Sequence, residues 1–442
     1  MGKKADTRIS TGRERRAWYL YDFGNSAYAA VVLLAVYAAY FKGQVVGSAQ
    51  GSWLWGLSVG IAMLAVAVTA PILGTIADYS GGKKRFLLFF TGMSCVFTAF
   101  LAFVGKGDIV MGMVFFILAE IGYRSAQVFY NALLPEIASV DEIGRISGRG
   151  WAIGSAGGIA CLIIVLALIQ IFPGSLSVRL SFVLTALFYA GFATPIFRSL
   201  PERVEKKSLP SGSSLFSLAF GRLGATLKNV RHFKEFGRFI LAFLVYNDGI
   251  LMMLNFAAIL GAVLFGLSQQ QLILFMIMVQ VASIAGAYAF GHITDRFSAK
   301  RSILIALALM LVAVVWLYFD HSRTLFFVIG GIAGFALTAA QSVSRTLVGK
   351  LAPANRSAEF YGFFAMTGRT SSFIGPTVYG FIAAHAALWY QRSGQEAALA
   401  EQSGQRMAIL SIAAFLVVGF LALLFVNEKR GVAAARSASE KQ

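Results

Sequence analysis

Six charged residues, Asp22, Glu120, Arg124, Asp248, Arg345 and Arg369, stand inside long apolar stretches of this 442-residue chain. A charge near the centre of a membrane-spanning helix costs about 2.5–3.5 kcal/mol on insertion scales, so it persists where it is paired or functional. Glu120 and Arg124 are four residues apart, the spacing that stacks two side chains on one helix face. A carboxylate beside an arginine can exchange that partner for a proton or a substrate ammonium, which is the chemistry of coupled transport. Asp22, Glu120 and Arg124 are therefore expected to form one network, with Asn25 and Gln127 as further binding candidates; the competing reading is a structural ion pair. In the second half of the chain the counterparts are Asn247, Asp248 and Arg369. A guanidinium can clamp a carboxylate through two parallel hydrogen bonds. Arg369 is the better-placed clamp, against the alternative of an internal salt bridge to Asp248. Arg345 lies nearer a segment end and reads as a gating residue.

The elements that must position these groups are helices. The chain is 58% apolar and 13% charged, with 39 Phe, whereas a soluble domain has about 45–50% and 25%. A dozen spans of about 20–25 residues consume roughly 240–300 residues. Twelve apolar segments are predicted, at 17–41, 52–77, 86–105, 109–133, 148–172, 179–199, 237–265, 270–293, 301–320, 324–349, 359–386 and 406–427. Backbone groups in lipid must be satisfied within the segment, so each segment reads as a helix, and the alternating pattern of a β-barrel is absent. The expected fold is an all-α polytopic membrane protein of 6+6 pseudo-twofold design. It would comprise a tail (1–16), a six-helix bundle (17–199), a linker (200–236), a second bundle (237–427) and a tail (428–442).

Of the 38 Lys and Arg, 29 fall on the tails and on the loops that follow even-numbered segments. That bias places both termini and the linker in the cytoplasm. The net charge of +18 therefore marks topology, not a nucleic-acid partner. Met1–Arg16 reads as a cytoplasmic tail before a first span, not a cleaved leader. In the linker, Phe216, Phe220, Leu223, Leu227 and Val230 recur at helical spacing among basic residues, an amphipathic helix expected to meet anionic lipid. Cys95 and Cys161 give no disulfide framework or metal spacing, and the four His do not cluster. No phosphate-binding loop is present, so ATP-driven export is not expected; with no catalytic His/Asp constellation at a membrane face, neither an enzymatic activity nor a cofactor or metal is expected. Gly150, Gly154 and Gly158 are spaced for close helix packing. Gly375-Pro376 reads as a kink, and Trp18, Trp53 and Trp55 as interfacial anchors.

The halves echo one another. Gly74-Thr75-Ile76-Ala77-Asp78-Tyr79 precedes Lys83-Lys84-Arg85, and Gly291-His292-Ile293-Thr294-Asp295-Arg296 precedes Lys300-Arg301. Tyr21-Asp22-Phe23-Gly24-Asn25 is matched by Tyr246-Asn247-Asp248-Gly249. Parallel six-helix repeats around a site are transporter architecture.

Gly74-x-x-Ala77-Asp78-x-x-Gly81-Gly82-Lys83-Lys84-Arg85 resembles the loop signature of the major facilitator superfamily. More narrowly, Trp18 through Ala27, Tyr246-Asn247-Asp248-Gly249-Ile250, Gln341 through Arg345, and Glu359 through Pro376 resemble its vacuole-effluxer-like branch. Fungal members of that branch are known as amino-acid effluxers of the vacuole. The resemblance implies a secondary transporter and gating roles for Gly74, Asp78, Arg85, Gly291, Asp295 and Arg345. Arg124-Ser125-Ala126-Gln127 is similar to an Arg-x-x-Gln element of proton-coupled facilitators, with Val128 where glycine is usual. The expected function is alternating-access transport of an amino acid or short peptide, coupled to protons, by a monomer in a bacterial inner membrane. Competing substrates are sugars, drugs and peptidoglycan- or lipid-derived solutes; a non-transporting sensor or scaffold is the competing class.

Overall fold

A computed structural model describes residues 11–79, 82–137, 143–201, 221, 224, 233–353, 360, 361, 363, 364, 367, 368 and 372–440. The amphipathic stretch proposed between Phe216 and Val230 lies outside the described residues, except for single helical positions at 221 and 224.

The first span, α1, runs Gly12–Val46. It is followed by α2 (Gln50–Tyr79), α3 (Lys83–Phe100), α4 (Ile109–Ala132), α5 (Ile143–Ile171) and α6 (Ser175–Ser199). The second half comprises α7 (Lys234–Phe265), α8 (Gln269–Arg296), α9 (Ala299–Phe319), α10 (Arg323–Leu351), α11 (Ile374–Arg392), α12 (Ala397–Leu424) and α13 (Glu428–Glu440). Eleven of the described helices are long and apolar enough to cross a membrane. Residues 359, 362, 365, 366 and 369–371 of the predicted eleventh span lie outside the description.

Sequence sets the helix starts. Ser268 caps α8 reciprocally with Gln271: the Gln271 N–H donates to the Ser268 hydroxyl at 3.3 Å, and the Ser268 N–H donates to Gln271 Oε1 at 2.9 Å. Ser298 and Ser322 accept from Arg301 and Leu325 N–H at the starts of α9 and α10. Each cap fills donors that a helix start leaves open. Gly266, at φ +59°, turns the chain from α7 toward α8 within three residues.

Helix α1 is not uniform. Its regular turns over Gly12–Tyr28 give way to π-helical turns at Ala29–Ala35, a short α segment at Tyr37–Tyr40, and a second π-helical stretch at Phe41–Val46. The molecule packs as two compact units, one holding 1–32, 69–103 and 118–219, the other 33–68, 104–117 and 220–442. The packing units are thus drawn across α1, α2 and α4, differently from the bundles laid out in chain order.

Within the second unit, α2 lies on α11 with backbone against backbone. A Cβ added at Gly56 would overlap the Pro376 carbonyl, one at Gly60 the Thr377 hydroxyl, and one at Gly380 the Ser52 carbonyl. In lipid no hydrophobic force draws helices together, so small residues that permit close approach supply the dispersion contacts. Polar bonds reinforce the seam. Trp55 Nε1 donates to the Asn255 carbonyl at 2.9 Å, Gln405 Nε2 to the Ser52 hydroxyl at 2.6 Å, and the Tyr379 hydroxyl to Gln405 Oε1 at 2.9 Å. Lys42 pairs with Glu401 beside them.

Several expectations need correction. Trp18 and Trp55 are 2% and 0% exposed, so neither is an interfacial anchor; both fill aromatic clusters. Lys83 is buried in an ion pair with Glu136 at 2.7 Å, so it pins α3 internally. On α5, Gly157 also packs closely, against the Phe23 carbonyl, one turn on from Gly154. Pro376 falls in the first turn of α11, where its missing N–H costs no intrahelical bond. Helix α12 begins nine residues before the predicted 406, because its polar first turns bond inside the protein: Glu401 to Lys42, and Arg406 to the Tyr318 and Asp320 carbonyls. The tail after 427 is helical, with Glu428 accepting from the Lys300 N–H at 2.9 Å and pairing with Lys350.

Gly56→Val should lower the melting temperature of detergent-purified protein, at a cost of about 1–3 kcal/mol for forced backbone movement. Gly92, whose added Cβ would meet nothing within 4 Å, should tolerate Ala or gain about 0.5–1 kcal/mol from it. Equal melting temperatures for the two variants would contradict the seam.

Candidate substrate and coupling site

In the first unit, α1 presents Trp18, Tyr21, Asp22, Asn25 and Tyr28 at helical spacing, and α4 presents Glu120, Tyr123, Arg124, Gln127 and Tyr130. The two faces meet through aromatic rings. Trp18 stacks on Tyr130 with centroids 4.5 Å apart, Tyr21 stacks on Tyr130 at 4.9 Å, and Tyr28 tilts against Tyr123 at 4.7 Å. The Tyr130 hydroxyl donates to the Trp18 carbonyl, and Trp18 Nε1 donates to the Tyr130 carbonyl, both at 3.3 Å. These reciprocal bonds fix the rotation of α1 against α4.

Between these rings sit the charges. Arg124 Nε donates to Glu120 Oε1 at 2.8 Å, as the four-residue spacing predicts. The Glu120 side chain is fully buried, and its second oxygen, Oε2, has no hydrogen-bond partner. The Tyr28 hydroxyl lies beside Glu120, near enough to interact with its carboxylate but without a hydrogen bond of normal geometry. Arg124 lies over the Tyr123 ring, 5.3 Å from its centroid, and Gln127 reaches the Tyr123 hydroxyl. Asp22 does not join this pair directly. It is half-buried next to Tyr130 and Asn25, and it lies against α5, where Gly154 leaves room: a Cβ there would stand 3.0 Å from the Asp22 carboxylate. No ion pair among the described residues links Asp22 to Glu120 or Arg124; Tyr123 stands between them in the electrostatic sense, facing all three. Asn25 is buried with Nδ2 unpartnered. The expected single network is thus an ion pair and a separate carboxylate, joined by tyrosines.

The second unit repeats the frame with different chemistry. Aligning Gly24 with Gly249 pairs Tyr21 with Tyr246, Asp22 with Asn247, and Phe23 with Asp248. The geometry follows this register. Gly24 abuts α6 at Phe192 and Tyr189, and Gly249 abuts α12 at Leu416. The Phe23 carbonyl faces Gly157 of α5, and the Asp248 carbonyl faces Gly375 of α11. Tyr21 shares hydrogen bonds with Thr91 at 2.7 Å and Tyr189 at 2.9 Å; Tyr246 shares one with Ser344 at 2.6 Å. Asn247 Nδ2 donates to the Gly368 carbonyl at 3.5 Å. Asp248 is buried, and its Oδ1 has no hydrogen-bond partner.

The remaining candidates separate from this cluster. Arg369 lies outside the described residues, as do the side chains of Gly74, Asp78 and Asp295. Arg345 has an exposed side chain, and its carbonyl accepts from the Tyr361 hydroxyl at 3.2 Å. Arg85 is exposed. Gly291 is exposed too, and a Cβ there would meet nothing within 4 Å, so it serves no close helix approach. The described residues hold no group of His, Cys, Asp or Glu fit for a metal ion. Sequence reasoning missed Tyr28, Tyr123 and Tyr130, although their spacing from Asp22 and Glu120 puts them on the same faces.

The family model for "Vacuole effluxer Atg22 like" proteins matches residues 52–144 and 140–436. Among similar proteins, an uncharacterized MFS-type transporter, YxiO of Bacillus subtilis, is 28% identical over 94% of this chain and 95% of its own. Autophagy-related protein 22-1 of Penicillium rubens is 25% identical over 54% of this chain and 44% of its own. Among solved structures, a bacterial homolog of the human lysosomal transporter Spinster, in an inward-facing and unoccupied conformation, superposes with a TM-score of 0.70. It covers 96% of this chain and 97% of that one at 16% identity. A D-xylose–proton symporter superposes at 0.63 with 14% identity, covering 95% and 97% of the two chains. The fold is that of the major facilitator transporters.

Truncating one partner of the buried pair should cost more than removing both. Arg124→Leu alone is expected to destabilise by about 3–5 kcal/mol, because it strands a buried carboxylate. Glu120→Gln with Arg124→Leu should recover most of that loss in a denaturation cycle; additive losses would mean the pair is not coupled.

Proposed function

The chain belongs to the vacuole effluxer Atg22-like family, and on that footing we propose that it carries an amino acid or short peptide across the membrane by alternating access, driven by protons. The observation that carries this reading is the Glu120–Arg124 pair, whose fully buried carboxylate keeps one oxygen unpartnered. A buried polar atom without a partner costs about 1–3 kcal/mol. Protonation or a substrate ammonium would satisfy it, and either event would loosen the hold on Arg124. Asp248 offers the same chemistry in the second unit, again with one oxygen open.

In this scheme Asp22 and Glu120 are the proton-sensitive groups, and Asn25 and Gln127 supply neutral hydrogen bonds. Asn247 and Asp248 receive the substrate's ammonium end. Arg369 clamps its carboxylate. Asp78, Asp295, Arg85 and Arg345, with the glycines Gly74 and Gly291, belong to the gates at the basic ends of the helices. The Atg22 relatives, named for autophagy, support a degradation product such as an amino acid as cargo, and efflux as direction. The Lys and Arg distribution supports cytoplasmic termini, and likeness to facilitator transporters supports a monomer in an inner membrane.

Amino acids and dipeptides should raise the melting temperature of the purified protein by mass action, whereas sugars and nucleosides should not. That shift should vanish in Arg369→Ala. In proteoliposomes, Asp22→Asn and Glu120→Gln should abolish proton-driven accumulation while Glu120→Gln retains substrate exchange. Wild-type rates and pH dependence in both variants would sink the coupling assignment, and stabilisation by sugars alone would sink the substrate class.

A further inference from the structure

Three arginines that have no partner among the described residues converge on one groove of the first unit. Arg13 and Arg16 project from the first turns of α1, three residues apart, and Arg198 comes from the last turn of α6. Together with Ala17, Leu20 and Pro195 they line a groove of about 800 Å³, which Gly191 and Thr194 complete. All three arginines are exposed, and none makes a side-chain hydrogen bond or an ion pair among the described residues. Arg13 and Arg16 also sit near the positive end of the α1 dipole, where a cation is disfavoured. The arrangement is therefore electrostatically incomplete. It contrasts with the opposite helix ends, where Lys42 is paired with Glu401, Arg179 donates to the Ala102 carbonyl and Arg323 to the Phe265 carbonyl.

The groove is also graded. Its rim is cationic, and its wall, one to two helical turns further into the membrane, is Ala17, Leu20, Gly191 and Pro195. A phosphate at the rim with an acyl chain along the wall matches both parts. A guanidinium fork holds phosphate oxygens in a planar, paired geometry. The Lys and Arg distribution puts this rim at the cytoplasmic leaflet, where anionic lipids give a negative surface. We propose that the groove between α1 and α6 is a binding site for one anionic phospholipid, held through its phosphate by Arg13, Arg16 and Arg198. Occupancy would tie α1 to α6 at the end where Asp22 and Trp18 are positioned, so the lipid would set the stability of the frame around the candidate site.

The test compares melting in neutral phosphatidylcholine nanodiscs with melting in nanodiscs containing phosphatidylglycerol, and reads retained lipid by native mass spectrometry. Wild-type protein should melt about 2 °C higher with the anionic lipid, because a ligand that binds only the folded state stabilises it by mass action. Arg13→Gln/Arg16→Gln/Arg198→Gln should lose that increment and retain about tenfold less phosphatidylglycerol. Gly191→Trp should lose it too with every charge intact, because Gly191 lines the groove and a Cβ added there meets nothing within 4 Å, so the ring has room to enter the groove. This second variant decides the matter if the triple variant folds poorly. Lys429→Gln/Arg430→Gln/Arg436→Gln, the same charge change on exposed residues of α13, should keep the full increment. Loss of the increment in this control would reassign it to diffuse charge and overturn the site. So would an unchanged increment in either groove variant. An equal shift from inorganic phosphate in neutral nanodiscs would make the groove a free-anion site instead.

Discussion

Close backbone approach at glycine governs the molecule. A membrane removes the force that drives soluble helices together, so packing depends on how near two backbones come and on the polar bonds that closeness permits. Gly56, Gly60 and Gly380 bring α2 and α11 into direct carbonyl contact, and only at that separation does Gln405 reach Ser52. The same device shapes the candidate site. Gly157 accepts the Phe23 carbonyl, which sets the depth of α1 against α5, and Gly154, one turn earlier, leaves the space that the Asp22 carboxylate occupies. The acid is therefore housed by a missing side chain on its neighbour. Asn25 and Tyr130 are its polar neighbours there.

The repeat is conserved as a frame and divergent as chemistry. Tyr21 and Tyr246 both tie their helix to the interior of their unit through the hydroxyl, and Gly24 and Gly249 both receive the last helix of their half. Between these fixed points the acid moves by one residue, from Asp22 to Asp248. On a helix one residue is about 100° of rotation, so the two carboxylates leave equivalent helices in different directions. Both nonetheless lie at the contact with the fifth helix of their half, Asp22 at α1–α5 and Asp248 at α7–α11, while Asn247 holds the position that matches Asp22 in register. An asymmetric cargo with one ammonium and one carboxylate suits a symmetric frame bearing asymmetric groups.

Much of this was legible in the sequence because lipid permits so few solutions. Apolar runs located α2 through α10 within a few residues, and the four-residue spacing of Glu120 and Arg124 announced their ion pair. The failures share one cause: composition reports polarity without reporting partners. Glu401 and Gln405 read as loop because they are polar, yet each finds a partner inside the protein and so continues α12. Lys83 stands in a basic run at a segment end, yet it meets Glu136 inside the protein. Trp18 and Trp55 sit at segment ends, where tryptophan usually faces the interface, and are instead enclosed by rings contributed from α4 and, for Trp55, from α1. Tyr28, Tyr123 and Tyr130 were visible in periodicity alone, but nothing in the chain order says that their two faces meet.

Helix α1 has one more property, set by its π-helical turns. A π turn holds one residue more than the α ladder needs, and moving that surplus along the chain by one position exchanges one i→i+5 bond for one i→i+4 bond. The number of bonds is unchanged, so the surplus can travel like a dislocation in a crystal. The line between the two compact units crosses α1 after Val32, inside the Ala29–Ala35 turns. Helix α1 is thus a shaft with a take-up joint at its middle: the π turns can absorb a one-residue register difference between the part that Tyr130 locks in rotation and the part bearing Tyr37 and Lys42.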